Sequence, residues 1–258
     1  MDVNSPSAIR SRYAELGLSW WPVLAVLPAR MVFCFLSQGL AAAYFFLAGS
    51  AEPWHRAAQS WLIHTTIADV LCLVLLAWLL RREGLRLRQL FGVTTWKEGL
   101  RQLRWTPVYL LLVAPGAIAA HLITTAFYGS QLPPMVSIVA LPPAGVAYSM
   151  LVWPLVWVIT EQLFYLGYLL PRIEAMTGKT WVPVMIIILF WGLQHVAIPF
   201  IGDPTYLVSR VLAATAAVSL FPVVYVPGGR RLVPLMGAHY IADLSTAFLA
   251  AVLPLLER

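Results

Sequence analysis

The stretch TEQLFYLGYLLPRI, Thr160 to Ile173, places a single carboxylate, Glu161, inside a long run of apolar residues. The run begins near residue 145, so it is long enough for a membrane-spanning helix, which needs about 20 residues. A charged side chain at the centre of a bilayer costs about 2.5–3.5 kcal/mol on insertion scales, and such residues usually mark functional sites. Glu161 is therefore the first candidate functional residue of the chain.

The composition of the whole chain agrees with a membrane location for this stretch. Hydrophobic residues make up 60% of the 258 residues and charged residues only 11%, whereas about 25% of the residues of a soluble domain are charged. The apolar segments have the length of helices, and the alternating segments of about 10 residues that form outer-membrane barrels are absent. The sequence predicts an all-α fold, a polytopic transmembrane helical bundle, with residues 1–258 forming a single integral membrane domain.

The apolar segments predict about seven membrane spans, within a range of six to eight. The predicted spans are residues 31–49, 61–80, 105–127, 145–170, 181–200, 206–226 and 233–254. Residues 16–28 and 133–150 are apolar but rich in proline, which predicts short interfacial or re-entrant segments. Residues 81–104 mix cations with apolar side chains, which predicts amphipathic helices on an anionic membrane surface.

The net charge of +6 follows from the distribution of the basic residues. Residues 81–104 contain seven Lys and Arg residues, whereas residues 105–153 contain none. This asymmetry is typical of membrane proteins with positively charged cytoplasmic loops. It predicts a cytoplasmic amino terminus in a bacterial inner membrane. It also predicts that these cations contact the lipid bilayer rather than nucleic acid. The residues assigned to this side are Arg10, Arg12, Arg30, those of 81–104, Arg172, Lys179, Arg230 and Arg231.

Seven acidic residues and histidines fall inside the predicted spans, and three of them show no spacing that indicates a chemistry. These three are Asp69, His64 and His121. A single polar residue in a membrane helix often only hydrogen-bonds a neighbouring helix. We therefore expect that structural role for all three.

The other four of these residues are Glu161, His195, His239 and Asp243. In the run MGAHYIADL, His239 and Asp243 are four residues apart and lie on one helical face. Glu161, His195 and His239 lie roughly 17, 24 and 12 Å from the nearest basic residues of the cytoplasmic side, at 1.5 Å per residue. These depths predict one buried site. Its composition suits water activation by a general base, or a metal site with two histidines and one carboxylate.

Close packing is expected around His195 in the run ILFWGLQHVAIPF. Trp191 and Gly192 lie one helical turn before this histidine. The indole can form an aromatic wall, and the glycine permits a neighbouring helix to approach closely. Both features are predicted to frame the imidazole.

Three segments follow one another in the second half of the chain: Glu161-Gln162 followed by Gly167 and the YLLPR run of 168–172, FWGLQH at 190–195, and HYIAD at 239–243. Together they resemble the motifs of the CPBP family, the CAAX-protease and bacteriocin-processing type of glutamic intramembrane protease. The resemblance implies a CPBP-like catalytic core at residues 145–254. It also implies an intramembrane endopeptidase that hydrolyses a peptide bond in a membrane-anchored or exported protein or peptide.

The resemblance also implies a role for each motif residue. Glu161 and His195 would activate a water molecule, and His239 and Asp243 would stabilise the oxyanion. An ionised Asp243 cannot donate a hydrogen bond, so we expect this carboxylate to orient His239, which then donates. The sequence requires no cofactor, and zinc stays open as a ligand.

The first motif departs from its usual form, Glu-Glu-x-x-x-Arg, at two positions. Gln162 replaces the second glutamate and Leu166 replaces the arginine. One negative and one positive charge are lost together, so neither is left unpaired in the membrane. This predicts that the missing ion pair was structural and that the base remains.

Two other functions remain open from the sequence. The first is a catalytically inactive relative that acts as a membrane scaffold. The second is a proton-coupled transporter. In the transporter, Glu161, His195, His239 and Asp69 would form a proton relay. The sequence carries no indication of the oligomeric state.

Overall fold

The computed structural model describes residues 3–93, 95–131, 133–136 and 141–252, and these residues form helices without β-strands. The α-helices in chain order are α1 (Pro6–Glu15), α2 (Trp21–Ala25), α3 (Ala29–Leu47), α4 (Pro53–Gln59), α5 (Trp61–Arg82), α6 (Trp96–Leu103), α7 (Thr106–Tyr128), α8 (Pro143–Leu151), α9 (Trp153–Glu161), α10 (Leu170–Thr177), α11 (Trp181–Leu193), α12 (Pro204–Tyr225) and α13 (Leu232–Ala247). Short 3₁₀ segments cover Leu87–Phe91, Pro134–Val136 and Gln194–Ala197, and π-helical segments cover Gln162–Leu169 and Phe248–Val252.

Six helical units of the described chain are long and apolar enough to cross a membrane. They are α3, α5, α7, α12, the continuous unit Pro143–Thr177 that contains α8 to α10, and the unit Leu232–Val252 that contains α13. The apolar helix Trp181–Ala197 is shorter and occupies the predicted span at 181–200. The predicted polytopic helical bundle is confirmed, and the chain is an integral membrane protein.

The proline-rich segment at 133–150 differs from its prediction. Pro143 begins a continuous unit of 35 residues, Pro143–Thr177, instead of a separate re-entrant segment. Proline is compatible with the first turn of a helix because the amide hydrogen that it lacks has no partner there. Residues 137–140 of the predicted segment lie outside the described residues, as do residues 253 and 254 of the last predicted span.

The basic region at 81–104 contains the 3₁₀ segment Leu87–Phe91 and helix α6, as the amphipathic pattern predicted. On α6 the apolar side chains Trp96, Leu100 and Leu103 are 78%, 49% and 44% exposed. Exposed apolar side chains beside cations are typical of a helix that lies in a membrane interface. Helix α6 therefore has the character of an interfacial helix.

Small residues allow close contacts between helices of the bundle. A Cβ atom at Gly116 of α7 would lie 2.7 Å from the carbonyl oxygen of Ala216 in α12. A Cβ atom at Gly192 of α11 would overlap Thr215 of α12. Small side chains permit such approaches between membrane helices. The close helix approach predicted at Gly192 is confirmed.

A buried ion cluster joins α1, α5 and α10 at one end of the bundle. Both carboxylate oxygens of Glu83 accept hydrogen bonds from Arg172, at 2.7 Å each, and Oε2 also accepts from Arg12 at 3.0 Å. Tyr13 of α1 donates to Glu83 at 3.2 Å. Burial and the Glu83 carboxylate raise the pKa of Tyr13 to about 12, so its hydroxyl stays protonated as a donor. Arg172, predicted to mark a loop boundary, is instead fully buried because Glu83 neutralises it.

We expect Glu83→Ala to lower the free energy of unfolding by about 3–5 kcal/mol, because Arg172 would stay buried without its counter-charge. Unfolding would be measured in detergent micelles by denaturant titration. The matched control is Glu52→Ala at an exposed position, with an expected change within about 0.5 kcal/mol. Equal effects of the two substitutions would contradict a structural role for the cluster.

Candidate active site

Glu161 lies where a membrane-spanning helix changes its hydrogen-bonding pattern. It is the last residue of α9, and the π-helical segment Gln162–Leu169 follows at once. The amide of Leu170 donates to the carbonyl of Tyr165, five residues earlier, as in a π-helix. Such segments are rare within α-helices and occur frequently at functional sites. The carboxylate of Glu161 is also completely buried.

One oxygen of the Glu161 carboxylate is held by two donors from other segments. Oε1 accepts from Nη1 of Arg30 at 2.6 Å and from Nε2 of Gln194 at 2.5 Å. Gln194 accepts in turn from the hydroxyl of Tyr165 at 2.7 Å. The Trp157 ring lies 4.1 Å from the guanidinium carbon of Arg30. Side chains of α3, α9, the π-helical segment and the end of α11 therefore orient this oxygen.

The other oxygen of Glu161 faces the third motif. Oε2 lies 3.6 Å from Nε2 of His239 and accepts no hydrogen bond from the residues that the structure describes. The same Nε2 lies 3.4 Å from Oδ2 of Asp243, one helical turn further along α13. The His239 ring packs against the rings of Phe221 and Trp191, with centroids 4.7 and 5.9 Å away. Oε2 of Glu161 is thus the oxygen that remains available for chemistry.

The hydrogen bond at Nδ1 sets the tautomer of each histidine. Nε2 of Gln162 lies 3.3 Å from Nδ1 of His239. An amide nitrogen can only donate, so Nδ1 of a neutral His239 accepts and Nε2 carries the hydrogen. Nδ1 of His195 lies 2.8 Å from the carbonyl oxygen of Trp191, which can only accept. His195 therefore carries its hydrogen on Nδ1 and keeps the lone pair on Nε2.

The four predicted site residues are brought together to different degrees. Glu161 lies beside His239, and His239 lies beside Asp243, as the sequence predicted for one buried site. His195 follows Gln194, which binds Glu161, but His195 itself forms no ion pair with a carboxylate in the described part of the chain. The predicted Trp191 wall packs against His239, while His195 contacts only the Trp191 carbonyl among the described hydrogen bonds and ring contacts.

Arg30 lies in the first turn of α3, close to the start of the predicted span, but it is not an exposed loop cation. Its side chain is completely buried in α3, where Nη2 donates to Oδ1 of Asp69 at 2.8 Å while Nη1 holds Glu161. Asp69 does bond a neighbouring helix, as predicted, but it does so through the arginine that holds the candidate base. The three carboxylates inside predicted spans were a signal that a buried cation was needed.

Gln194 and Gln162 also contact the site, although neither was predicted to do so. Gln194 stands next to His195 within the FWGLQH run, so its position in the motif was the available signal. Gln162 was predicted to mark a lost structural pair, whereas in the structure its amide meets His239. The replacement therefore puts a hydrogen-bond donor where the usual glutamate would put an acceptor.

The remaining membrane histidines lie away from Glu161. Nδ1 of His64 is 3.1 Å from the hydroxyl of Ser37 on α3, which confirms the predicted bond to a neighbouring helix. His121 is exposed on the surface of α7, and the bond to a neighbouring helix predicted for it is not found among the described hydrogen bonds. Among the described residues, no three histidine, cysteine, aspartate or glutamate side chains converge in a group that could hold a metal ion. The site thus presents one buried carboxylate and two histidines whose Nε2 atoms differ in protonation.

Comparison with known proteins finds one family similarity. Residues 143–245 match the family model described as "Type II CAAX prenyl endopeptidase Rce1-like". The matched region runs from the start of α8 into α13 and includes all four predicted site residues. Comparison with curated proteins and comparison with solved structures give no match.

We expect Gln162→Glu to move the hydrogen of His239 from Nε2 to Nδ1, because the donor opposite Nδ1 becomes an acceptor. The imidazole ¹⁵N chemical shifts of histidine-labelled protein would report the change, with the His239 signals assigned from a His239→Gln variant. Gln131→Glu, at an exposed position, is the matched control and should leave these signals unchanged. If the hydrogen stays on Nε2 of His239 in the Gln162→Glu protein, the assigned tautomer is contradicted.

Proposed function

We propose that this chain, whose residues 143–245 form an Rce1-like domain of a protease family, is a glutamic intramembrane endopeptidase with a catalytic core at residues 145–254. The observation that carries the proposal is that the two oxygens of the Glu161 carboxylate have different surroundings. Oε1 is fixed by Arg30 and Gln194, while Oε2 lacks a hydrogen bond from the described residues and faces His239. A general base needs such an oriented carboxylate with one oxygen available to take a proton.

In the first step, Glu161 and His195 activate a water molecule. Oε2 of Glu161 takes one proton as the water oxygen bonds to the carbonyl carbon of the scissile peptide. The lone pair on Nε2 of His195 accepts the second hydrogen of the same water as a hydrogen bond and orients its attack. The electron pair of the carbonyl moves to the oxygen, which becomes an oxyanion. The tautomer of His195, set by the Trp191 carbonyl, supports this role.

In the second step, His239 stabilises the oxyanion and Glu161 returns its proton. The Nε2 hydrogen of His239 donates to the oxyanion, and a fixed donor of this kind is a major source of rate enhancement. Asp243 lies 3.4 Å from the same Nε2 without a hydrogen bond to it, so its charge draws this nitrogen toward the site and leaves the hydrogen for the oxyanion. Proton transfer from Glu161 to the leaving nitrogen accompanies cleavage of the C–N bond, which releases an amine and a carboxylic acid.

No step of this mechanism passes through a metal. Among the described residues, no three His, Cys, Asp or Glu side chains, Asp243 included, form a group that could hold a metal ion, which supports a mechanism without zinc. The cation in contact with the carboxylate is the guanidinium of Arg30. We therefore expect cleavage to persist after treatment with a zinc chelator, and its loss would argue for metal-assisted hydrolysis.

A groove lined by parts of the helices that carry Glu161 and His239, but not by these two residues, supports a membrane-associated protein or peptide as the substrate. The groove has a volume of about 1330 Å³ and lies between α6, α9 and α13. Val158, one turn before Glu161, and Tyr240, next to His239, line it, together with Trp96 and Leu100 of the amphipathic helix α6. A mostly apolar groove at an interfacial helix suits an extended segment of a membrane-anchored or exported protein.

We expect Glu161→Gln to lower cleavage about 100- to 10,000-fold, because the general base is lost. His239→Ala should lower cleavage about 100- to 1,000-fold through loss of the oxyanion donor. Peptide termini of membrane proteins would be compared by mass spectrometry in cells that carry each variant. His121→Ala, on the surface of α7, is the matched histidine control and should leave the termini unchanged.

The same experiment separates proteolysis from the two other functions that the sequence left open. A membrane scaffold or a proton-coupled transporter would produce no peptide terminus that depends on Glu161. If the Glu161→Gln protein accumulates in folded form and every terminus is unchanged, the protease function is refuted.

A further inference from the structure

Arg30 and Asp69 form a charge network with Glu161 although they lie far away in the sequence. The hydrogen-bonded pairs Arg30–Glu161 and Arg30–Asp69 are separated by 131 and 39 residues. All three side chains are completely buried. The guanidinium lies between the two carboxylates, and each of its terminal nitrogens donates a hydrogen bond to one of them. The position of Glu161 is therefore coupled through Arg30 to Asp69.

The network contains the charges that the first motif lacks. The usual form of that motif carries two carboxylates and one arginine, whereas here Gln162 and Leu166 are uncharged. Glu161, Asp69 and Arg30 together again carry two carboxylates and one guanidinium. Leu166 is fully buried in the apolar core, and Gln162 has become a partner of His239. The same set of charges is therefore assembled from α3, α5 and α9 instead of one helix.

The network is built in a way that suits orientation of a base more than stabilisation of a fold. Nε of Arg30, Oδ2 of Asp69 and Oε2 of Glu161 have no hydrogen-bond partner among the described residues. A buried charge network that is incompletely hydrogen-bonded is often no more stable than an apolar replacement. Its geometry nevertheless leaves one defined oxygen of Glu161 toward His239.

We propose that Arg30 and Asp69 are positioning residues for the base Glu161 and replace, across helices, the charges that the first motif has lost. Arg30 fixes Oε1, and Asp69 fixes the rotation of the guanidinium by holding its other terminal nitrogen. The inference rests on the proposed protease function. It assigns a role in the reaction to the amino-terminal half of the chain, outside the matched residues 143–245.

The test measures cleavage and folding in parallel on the full chain in liposomes. The probe is a peptide that spans a terminus whose formation in cells requires Glu161. Arg30→Lys keeps the charge but removes the planar fork that reaches two carboxylates. We expect kcat to fall about 10- to 100-fold with KM within about twofold, because misplacement of a catalytic group affects mainly the chemical step.

Asp69→Asn keeps a hydrogen-bond acceptor for Arg30, so it tests the network in a variant of nearly unchanged shape. Here we expect a smaller fall in kcat, about three- to tenfold, again with KM unchanged. The matched control is Arg56→Lys, at an exposed position of α4, which should leave both constants unchanged. The thermal midpoint of each variant separates altered catalysis from altered folding.

A charge-return variant tests the replacement itself. Arg30→Leu with Asp69→Asn should abolish cleavage, and addition of Leu166→Arg should recover at least about tenfold of the lost rate, because a guanidinium returns to the helix that carries the base. Gln162 is kept in this variant, so that His239 retains its hydrogen on Nε2. No recovery of cleavage in a folded protein would overturn the proposed replacement of charges.

Unchanged kcat in both Arg30→Lys and Asp69→Asn would overturn the positioning role while the protease function stands. If no terminus in cells requires Glu161, the protease function fails and this inference fails with it.

Discussion

The burial of one guanidinium between two carboxylates is the constraint on which the site depends. Arg30 contacts Glu161 at 2.6 Å and Asp69 at 2.8 Å, with all three side chains removed from solvent and lipid. Charges inside a membrane domain must be neutralised by partners, since neither lipid tails nor bulk water solvate them there. This requirement brings α3, α5 and α9 together at one point and fixes the face of α9 that carries Glu161. The π-helical segment that follows then turns Gln162 toward α13.

The protonation pattern of the two histidines follows from equally local contacts. A backbone carbonyl at His195 and an amide nitrogen at His239 impose opposite tautomers on two identical side chains. One Nε2 can then accept a hydrogen bond and the other can donate one, which are the two abilities that peptide hydrolysis requires. Glutamine in place of glutamate at position 162 therefore has two effects. It sets the position of the hydrogen on His239, and it removes a charge from the first motif.

The fold and part of the site could be predicted from the sequence because they depend on local patterns. Runs of apolar residues determine that the segments are membrane helices, and the spacing of four residues places His239 and Asp243 on one face. The proximity of Glu161 to His239 agreed with their similar predicted depths. The burial of Arg30 could not be predicted, because an arginine in the first turn of a span has the same local pattern whether it is exposed or buried, and its two partners lie on other helices.

The sequence by itself determined that the chain is a helical membrane protein with a carboxylate and histidines at matching depths. Hydropathy and helical periodicity are properties of neighbouring residues, so they can be read along the chain. Only the tertiary structure decided that Arg30 and Asp69 join Glu161, that Gln194 holds its first oxygen, and which nitrogen of each histidine carries hydrogen. These features depend on which helices touch, and helix contacts are decided by small residues such as Gly192 and by packing across the bundle.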